Sequence, residues 1–322
     1  MSIAEATSQL GESWTRVKDL MRECLVSNVQ LLNTTNEGII AHSGKLLRPL
    51  VSLLTAKSIG EITEDSIRFA AATEILHNAT LIHDDVTDES KERRGVPTLM
   101  STLGPSSAVL VGDFWLAKAV SLVYGTQSRY EVGNYYAGTL SDLAEGEMLQ
   151  LEKSIKADTT EEDYFRIIFC KTASLFRAAC ISAAISVNAP KELVDAADKY
   201  GTALGIAFQI KDDILDYAGT EELGKPTGVD IKEGKITLPL LGAMKNSPEE
   251  AKIRDLVRNI AGKDEDCAEV RDFVLKNGGI EYASGVLDQY IRKAVSAVDA
   301  YSASPSREAL KEIARFNAYR QV

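Results

Sequence analysis

Apolar residues recur every three or four positions along most of the chain. One such stripe comprises Ile67, Ala71, Ile75, Ala79 and Ile82, which fall on the same side of a helix. Similar stripes run through residues 14–33, 107–124, 133–152, 161–187, 191–217, 249–261 and 280–301. Alternation of apolar and polar positions, which is typical of half-buried strands, is absent. The pattern predicts an all-α protein of many helices.

Helix ends are marked by capping residues. Ser247 and Glu250 flank Pro248 as an N-cap serine and a capping-box glutamate would, and Ser304-Pro305 opens a last helix in the same way. Glycine and proline concentrate in two connectors, residues 93–106 and 219–239. Because no change of composition separates one part of the chain from another, we predict a single helical domain over residues 1–322.

Composition and charge narrow the classes of function. Of the 322 residues, 45% are apolar and 26% are charged, which is ordinary for a soluble globular protein. The net charge of −11 argues against a nucleic-acid-binding protein, which carries a basic face. The four cysteines, Cys24, Cys170, Cys180 and Cys267, show no C-x-x-C pairing, so we expect reduced thiols.

The sequence also bears on location. The N-terminus lacks the basic and apolar regions of a secretory signal. No run approaches the roughly 18 apolar residues expected of a spanning helix, and the longest candidate, residues 106–123, is interrupted by Asp113 and Lys118. We therefore expect a cytoplasmic protein without stable membrane insertion.

Two clusters of aspartates follow apolar helical runs. The first comprises Asp84, Asp85 and Asp88, and the second, which begins 128 positions after Asp84, comprises Asp212, Asp213 and Asp216. Like charges one turn apart cost about 0.2–0.5 kcal/mol in an isolated helix, and carboxylates are unfavourable near a helix C-terminus.

A divalent cation would remove both penalties. Mg²⁺ prefers oxygen ligands and shares its coordination with substrate phosphates. If the clusters face each other, several Mg²⁺ ions could lie between them with a diphosphate as the common ligand. A solvated acidic helix end remains an alternative for either cluster alone, but two such clusters after two apolar runs favour the metal interpretation.

A diphosphate also requires cationic and polar groups from the protein. Candidates of this kind accompany both clusters: Lys45, Arg48, His77, Arg93, Arg94, Lys171, Thr172, Gln209, Lys225 and Lys235. Taken singly, each is also compatible with a surface charge or an ordinary core residue. A P-loop is excluded in residues 228–234, because five residues separate the glycines where that motif needs four. Three histidines without an H-E-x-x-H pattern argue against a zinc site.

The order of these segments resembles that of the trans-isoprenyl diphosphate synthases, or polyprenyl synthetases. The matching segments are GKLLRP at 44–49, EILHNATLIHDDVTDESKERRGVPT at 74–98, GEMLQL at 146–151, KTASLF at 171–176, AFQIKDDILDYAG at 207–219 and GKPTGVDIKEGKITLPL at 224–240. The resemblance implies a large all-α bundle around a deep central cavity, usually in a homodimer. It also implies head-to-tail condensation of isopentenyl diphosphate with an allylic diphosphate.

The resemblance further implies roles for individual residues. Direct Mg²⁺ ligands would be Asp84, Asp88 and Asp212, whereas Asp85, Asp213 and Asp216 would be ligands or would hold the ligands in place. The allylic diphosphate would be bound by Arg93, Lys171, Gln209 and Lys235, with Thr172 and Lys225 nearby. Isopentenyl diphosphate would be bound by Lys45, Arg48, His77 and Arg94. His83 has no implied role, and we expect it to pack or to orient Asp84.

Product length is implied by the residues four and five positions before Asp84. Farnesyl-producing relatives often have aromatic rings there, whereas Thr80 and Ala79 leave a tunnel open. We therefore predict a product longer than geranylgeranyl diphosphate, in the hexaprenyl to octaprenyl range, with Tyr135 or Tyr136 as a candidate floor.

Three alternatives accompany this interpretation. A farnesyl or geranylgeranyl diphosphate synthase would share every motif. A terpene cyclase would replace the second aspartate cluster with an N-x-x-x-S/T-x-x-x-E triad, and a non-catalytic subunit of the same fold tends to lose the aspartate clusters.

Overall fold

The computed structural model describes residues 3–93, 95–218, 228–245, 247–260 and 263–319. Within these ranges the first half of the chain forms α1 (Ile3–Ser8), α2 (Glu12–Cys24), α3 (Gln30–Ala41), α4 (Leu47–Ile59), α5 (Glu64–Thr87), α6 (Leu99–Leu103), α7 (Pro105–Tyr124) and α8 (Arg129–Lys156). The second half forms α9 (Glu161–Ile168), a π-helical turn (Phe169–Ala173), α10 (Ser174–Ser186), α11 (Lys191–Ala218), α12 (Val229–Lys232), α13 (Leu238–Met244), α14 (Glu250–Arg258), α15 (Asp264–Lys276), α16 (Gly279–Ala297), a 3₁₀ turn (Val298–Ala300) and α17 (Pro305–Tyr319). The predicted all-α class is confirmed.

One short ladder departs from the helical pattern. Strands β1 (Glu92–Arg93) and β2 (Val96–Pro97) pair antiparallel, with Arg93 opposite Val96. Gly95 lies between them with φ of 75°, a conformation that favours glycine. Two residues per strand are too few to show an alternating pattern, so the sequence did not predict the ladder.

The chain forms two compact units. Unit 1 comprises Met1–Tyr136, Ala178–Ala197 and Ala300–Leu310. Unit 2 comprises Ala137–Arg177, Asp198–Asp299 and Lys311–Val322. The single domain expected over residues 1–322 stays a prediction.

In unit 1, helix α5 is the element on which α2, α4 and α7 pack. It begins with a capping box, in which the Thr63 hydroxyl accepts from the Ser66 backbone N–H and the Ser66 hydroxyl accepts from the Thr63 N–H. Ser66 Oγ also lies 2.6 Å from Ser186 Oγ, which ties the start of α5 to the end of α10. Fixing this end of the helix fixes the orientation of its last turn, where the first aspartate cluster lies.

Helices α5 and α7 approach closely at Gly112. A Cβ atom at this position would lie 2.2 Å from Nε2 of His83, so only glycine leaves room for the imidazole. His83 Nε2 is also 3.4 Å from Oδ1 of Asp113. The packing role expected for His83 is therefore against α7, one position before the aspartates.

In unit 2, two glycines bring backbones close to the π-helical turn. A Cβ at Gly146 of α8 would lie 2.7 Å from Cβ of Cys170, and one at Gly205 of α11 would lie 2.5 Å from Cα of Ala173. Any side chain at either position would push the helices apart. The two glycines therefore hold Lys171 and Thr172 between α8 and α11.

One of the two predicted helix starts is correct. Helix α17 begins at Pro305, and the Ser304 hydroxyl accepts from the Arg307 N–H at 3.1 Å as an N-cap should. The start predicted at Ser247 is wrong, because α14 begins at Glu250. The Ser247 hydroxyl instead accepts from the Glu249 N–H at 3.2 Å, closing a local turn before the helix.

Two helical stretches are long and apolar enough to span a membrane by length and composition alone, Pro105–Tyr124 and Glu161–Ser186. Neither stretch is an unbroken apolar run, since both contain charged residues, and the core helix of a soluble protein can have the same length and composition. In the second stretch, 83% of the apolar window is buried inside the protein, as in the core helix of a soluble protein. In the first, only 39% is buried.

Candidate active site

The first aspartate cluster occupies the last turn of α5. Asp85 is buried and its Oδ1 accepts a hydrogen bond from Nε of Arg93 at 2.8 Å. Asp84 is half-buried, and Asp88 is the exposed C-cap residue, with its N–H donating to the Asp84 carbonyl at 2.8 Å. Asp85 is thus engaged by a cation from the β1 strand.

The second cluster lies near the end of α11. Asp213 is only 2% exposed, and both of its oxygens accept hydrogen bonds, one from Oη of Tyr164 at 2.6 Å and one from Nε2 of Gln209 at 2.9 Å. Burial raises the pKa of Asp213 well above its ordinary range, and the nearby charge of Asp230 raises it further. Asp212, beside it, is half-buried.

Asp216 fixes the start of α12. Its carboxylate accepts from the N–H of Val229 at 3.1 Å and of Asp230 at 3.2 Å, and its carbonyl accepts from the N–H of Gly228 at 2.9 Å. Burial raises the pKa of Asp216, although these backbone groups act in the opposite direction. Burial, and next the charge of Asp216, raise the pKa of Asp230 to about 6.

The π-helical turn presents two predicted residues in different directions. Lys171 Nζ lies 2.6 Å from Glu147 Oε1 and donates to Gln150 Oε1 at 3.1 Å, both on α8. The Thr172 hydroxyl donates to Oε1 of Gln209 on α11 at 2.8 Å. Single π-helical turns are common at functional sites because they shift side chains out of the regular helical register.

Lys235 approaches the second cluster from the connector between α12 and α13. Its Nζ pairs with Glu233 and lies 4.0 Å from Oδ1 of Asp230. Lys171 also acts on Asp230, since its charge lowers the pKa of that carboxyl. Two predicted cations therefore act on an acidic group that the sequence analysis did not single out.

A cavity of about 180 Å³ opens where these groups meet in unit 2. Its lining combines polar, charged and apolar side chains: Gln150, Ser154, Thr159, Tyr164, Ile167, Ile168, Lys171, Gln209, Asp213, Asp230, Lys235, Ile236 and Thr237. Four of these, Lys171, Gln209, Asp213 and Lys235, are predicted site residues. The structure thus brings together a carboxylate cluster and cationic donors at one opening.

The residues implied to bind isopentenyl diphosphate lie in unit 1. Lys45 is exposed just before α4, Arg48 is half-buried in the first turn of α4, and His77 is half-buried in α5. Arg94, and Lys225 of the allylic set, lie outside the described residues. The binding roles of all five stay predictions.

The chain-length candidates also lie in unit 1. Ala79 is 1% exposed, and the half-buried Thr80 donates its hydroxyl proton to the His77 carbonyl at 2.8 Å. Tyr136 is buried, with its Oη 2.7 Å from Oγ1 of Thr73 and donating to the Phe69 carbonyl at 3.1 Å. Tyr136 thus bridges α8 to α5 two turns before Ala79, whereas Tyr135 is half-buried.

Sequence reasoning missed three residues of this region. Asp230 lies inside the segment GKPTGVDIKEGKITLPL, and its position between two lysines could have indicated a role in the site. Glu147 lies in GEMLQL, a segment that resembles the family but in which no residue was assigned a role. Tyr164 gave no signal, because a tyrosine among apolar residues is typical of any helical core.

The carboxylates of the second cluster suit a divalent cation. Asp213, Asp216 and Asp230 all have raised pKa values because burial and mutual repulsion disfavour their charged forms. A hard cation that prefers oxygen ligands would relieve this repulsion. Among the described residues, no group of three or more histidine, cysteine, aspartate or glutamate side chains is arranged to hold a metal ion.

Comparisons with known proteins agree with the quoted motifs. A family model described as polyprenyl synthetase matches residues 29–274. An octaprenyl diphosphate synthase from Haemophilus influenzae is 38% identical over 317 residues, which cover 98% of this chain and 96% of that protein.

Two solved structures are similar over their whole length. One is a polyprenyl synthase from Caulobacter crescentus complexed with calcium and isoprenyl diphosphate, with a TM-score of 0.92 and 35% identity, covering 100% of this chain and 98% of that one. The other is a decaprenyl diphosphate synthase from Rhodobacter capsulatus, with a TM-score of 0.93 and 35% identity, covering 99% of both chains.

Proposed function

The chain belongs to the polyprenyl synthetase family, and we propose that it condenses isopentenyl diphosphate head-to-tail with an allylic diphosphate. The product is a polyprenyl diphosphate longer than geranylgeranyl diphosphate. Relatives named octaprenyl and decaprenyl diphosphate synthase support this product class. The resemblance drawn from the motifs is thereby confirmed, and the hexaprenyl to octaprenyl range is the length proposed for this chain.

The observation that carries the proposal is the cavity in unit 2. Lys171, Gln209 and Lys235 line it together with the carboxylates of Asp213 and Asp230. Cations and carboxylates converging on one opening match a ligand that carries concentrated negative charge and brings metal ions with it. An allylic diphosphate is such a ligand.

Charge stabilisation is the main task of these residues. When the allylic carbon–oxygen bond breaks, both electrons leave with the diphosphate, and stabilisation of that charge is the role we propose for Lys171, Lys235 and Arg93. The double bond of isopentenyl diphosphate then attacks the allylic cation and a carbon–carbon bond forms. The proton lost in the last step passes to the released diphosphate, so no side chain has to act as a strong base.

We propose that Asp84 and Asp88 of the first cluster bind metal, and that Asp212 of the second cluster does so as well. Magnesium bound there would neutralise diphosphate charge and lower the barrier to its departure. The calcium in the Caulobacter relative supports the use of a divalent cation by this family. That Mg²⁺ is the working ion of this chain is our proposal.

Direct assay tests the function. The purified protein is incubated with Mg²⁺, labelled isopentenyl diphosphate and a geranyl, farnesyl or geranylgeranyl diphosphate primer, and the products are separated by chromatography. We expect label in products longer than geranylgeranyl and none after the metal is chelated. Products that stop at farnesyl or geranylgeranyl length would support the shorter-chain alternative, and failure to incorporate label with any primer would refute prenyl transfer.

We also propose that the enzyme is a homodimer that contacts its copy through α7 in unit 1. Four large apolar side chains are exposed on one side of this helix, at 39%, 67%, 36% and 57%: Val109, Leu110, Val120 and Tyr124. An apolar stripe of this length is typical of an interaction surface rather than of a solvated helix. A second copy of the chain would cover it.

Replacing Leu110 with lysine tests the dimer. Because this side chain is 67% exposed, the change should not disturb the fold of the protomer. Sedimentation should give a dimer for the unaltered protein and a monomer for Leu110→Lys.

A cytoplasmic location is proposed as well, supported by the free state of Cys24, Cys170, Cys180 and Cys267.

A further inference from the structure

A line of buried hydrogen bonds lies behind the cavity in unit 2. The Thr172 hydroxyl donates to Oε1 of Gln209 at 2.8 Å, and Nε2 of Gln209 donates to Oδ1 of Asp213 at 2.9 Å. The line ends at Tyr164, whose hydroxyl donates to Oδ2 of Asp213 at 2.6 Å. It joins the π-helical turn, α11 and α9, and Thr172, Asp213 and Tyr164 are each at least nine-tenths buried.

The line determines which way the Gln209 amide faces. Asp213 accepts from Nε2 of Gln209 on one oxygen and from the Tyr164 hydroxyl on the other, so it faces the nitrogen of the amide. The amide oxygen then faces the Thr172 hydroxyl, which can donate to it. An amide turned by 180° would set its oxygen against the carboxylate, with two acceptors in contact. Of the two N–H groups on Nε2, one is committed to Asp213, and the other is left for a ligand in the cavity.

Tyr164 is what holds the carboxylate in place. It is 2% exposed and touches the second oxygen of Asp213, the one that Gln209 does not reach. With donors on both oxygens, the plane of the carboxylate is fixed. Without the tyrosine hydroxyl, the carboxylate retains one donor and can rotate, and the amide of Gln209 loses its fixed partner.

We infer that Tyr164 is a positioning residue, which acts through Asp213 to orient Gln209 towards the allylic diphosphate. This inference rests on the proposed function, because it assigns Gln209 to the substrate of that reaction. It also gives Asp213 a role besides metal binding, since each of its oxygens accepts from a protein donor.

The chain offers a matched control for this inference. Tyr217 on α11 is fully buried in the same unit, and its hydroxyl makes no hydrogen bond among the described residues, although Thr237 lies beside it. Replacing either tyrosine with phenylalanine removes the same atom from a buried ring. Only Tyr164→Phe removes a donor from the line.

The test measures kcat and KM for each substrate, together with the melting temperature in metal-free buffer. We expect Tyr164→Phe to lower kcat/KM for the allylic diphosphate by about 10- to 100-fold, as for loss of a hydrogen bond to a charged group. The KM for isopentenyl diphosphate should stay within about twofold. Tyr217→Phe should leave both kinetic constants within about twofold of the unaltered protein.

A second comparison separates positioning from a structural role. If Tyr164 acts only through Gln209, then Tyr164→Phe added to Gln209→Leu should lower kcat/KM no further than Gln209→Leu alone. If Tyr164 merely stabilises the fold, Tyr164→Phe lowers the melting temperature while turnover per folded molecule is kept, with or without Gln209→Leu. That outcome, or Tyr164→Phe matching Tyr217→Phe in all constants, overturns the inference.

Failure of the proposed function would look different. An unaltered protein that transfers no prenyl group refutes the function itself, whatever the variants do. If Tyr164→Phe does not fold, Asp213→Asn is measured in its place, because an asparagine has only one oxygen for the two donors. Loss of kcat/KM for the allylic diphosphate supports the inference, and unchanged kinetics overturn it.

Discussion

The two aspartate clusters share a sequence pattern and differ in what holds them. In the first, Asp85 accepts a hydrogen bond from the cationic side chain of Arg93. In the second, Asp213 accepts from a neutral tyrosine and a neutral amide, and Asp216 accepts from backbone N–H groups of α12. Asp213 and Asp216 are thus held by neutral donors, and burial raises their pKa values.

The difference shows that an aspartate can be held by a residue close to it in the chain or by one from a distant segment. Arg93 follows Asp85 by eight residues, in a short ladder that any local change would alter. Tyr164 precedes Asp213 by 49 residues and is fixed by the core of unit 2. Arg93 is 38% exposed, so solvent screens its ion pair, whereas a buried hydrogen bond to a charged group contributes about 1.5–3 kcal/mol. The second cluster is thus the more rigidly held.

The largest effect is expected when one aspartate of either cluster is replaced, and these variants test whether both clusters serve one reaction. Asp84→Asn and Asp212→Asn should each lower kcat by about 1000-fold or more, because each removes charge from a group proposed to bind metal at the leaving diphosphate. Steady-state assays at saturating substrates check this. The control is Asp272→Asn, an exposed aspartate of α15 paired with Lys276. Normal turnover in either cluster variant would mean that only the other cluster is catalytic.

The next prediction concerns product length, which should depend on Ala79 in the helix of the first cluster and not on the second cluster. Ala79→Phe places a ring in α5 five positions before Asp84 and should shift the main product to a shorter chain. Overpacking a buried site costs about 1–3 kcal/mol, so the melting temperature is measured beside the product distribution. Asp212→Glu, in the second cluster, should change rate without changing length. An unaltered length distribution in Ala79→Phe would remove Ala79 from the tunnel.

The raised pKa of Asp230, which acts on the second cluster through Asp213, predicts that the free energy of unfolding depends on pH. A carboxyl with a pKa of about 6 when folded, against about 3.9 when unfolded, binds its proton more tightly in the folded chain. Its stabilising contribution is therefore present below pH 4 and is lost as pH rises to 6. In metal-free buffer, denaturant titrations should show the free energy of unfolding falling across this range by at most about 3 kcal/mol more than in Asp230→Asn.

Added Mg²⁺ should change the difference in stability between the unaltered protein and Asp230→Asn. A cation near Asp230 favours the charged carboxylate, so added Mg²⁺ should raise the stability of the unaltered protein at pH 7 more than that of Asp230→Asn. Equal pH profiles for the two proteins without metal would show that Asp230 is not held in a charge-excluding environment.

The smallest effect is expected at Glu147, whose ion pair with Lys171 must open before Lys171 can bind a diphosphate. Glu147→Gln removes the competing charge, so KM for the allylic diphosphate and the inhibition constant of pyrophosphate should both fall about three- to fivefold. Glu145→Gln, an exposed glutamate on the same helix, is the matched control. Higher values of both constants in Glu147→Gln would mean that Glu147 helps Lys171 to bind.

Local pattern was sufficient for the helices, and it also gave the candidate site residues, whose roles stay predictions. Short-range spacing can be recognised directly in the sequence. The helical stripes, the Ser304 cap and the two aspartate clusters all depend on residues within one or two turns of each other. The predicted start of α14 failed, because Ser247 closes a turn instead of opening the helix. The β1–β2 ladder was missed for a similar reason, since two residues carry no period.

By itself, the sequence determined the all-α class, the family and the positions of the carboxylates and cations. Tertiary structure alone decided that Tyr164 and Gln209 hold Asp213, that Asp216 caps α12, and that Glu147 pairs with Lys171. Apart from Gln209 and Asp213, which are one helical turn apart, these pairings join residues from distant segments, and hydrogen-bond geometry between such segments leaves no period in the sequence.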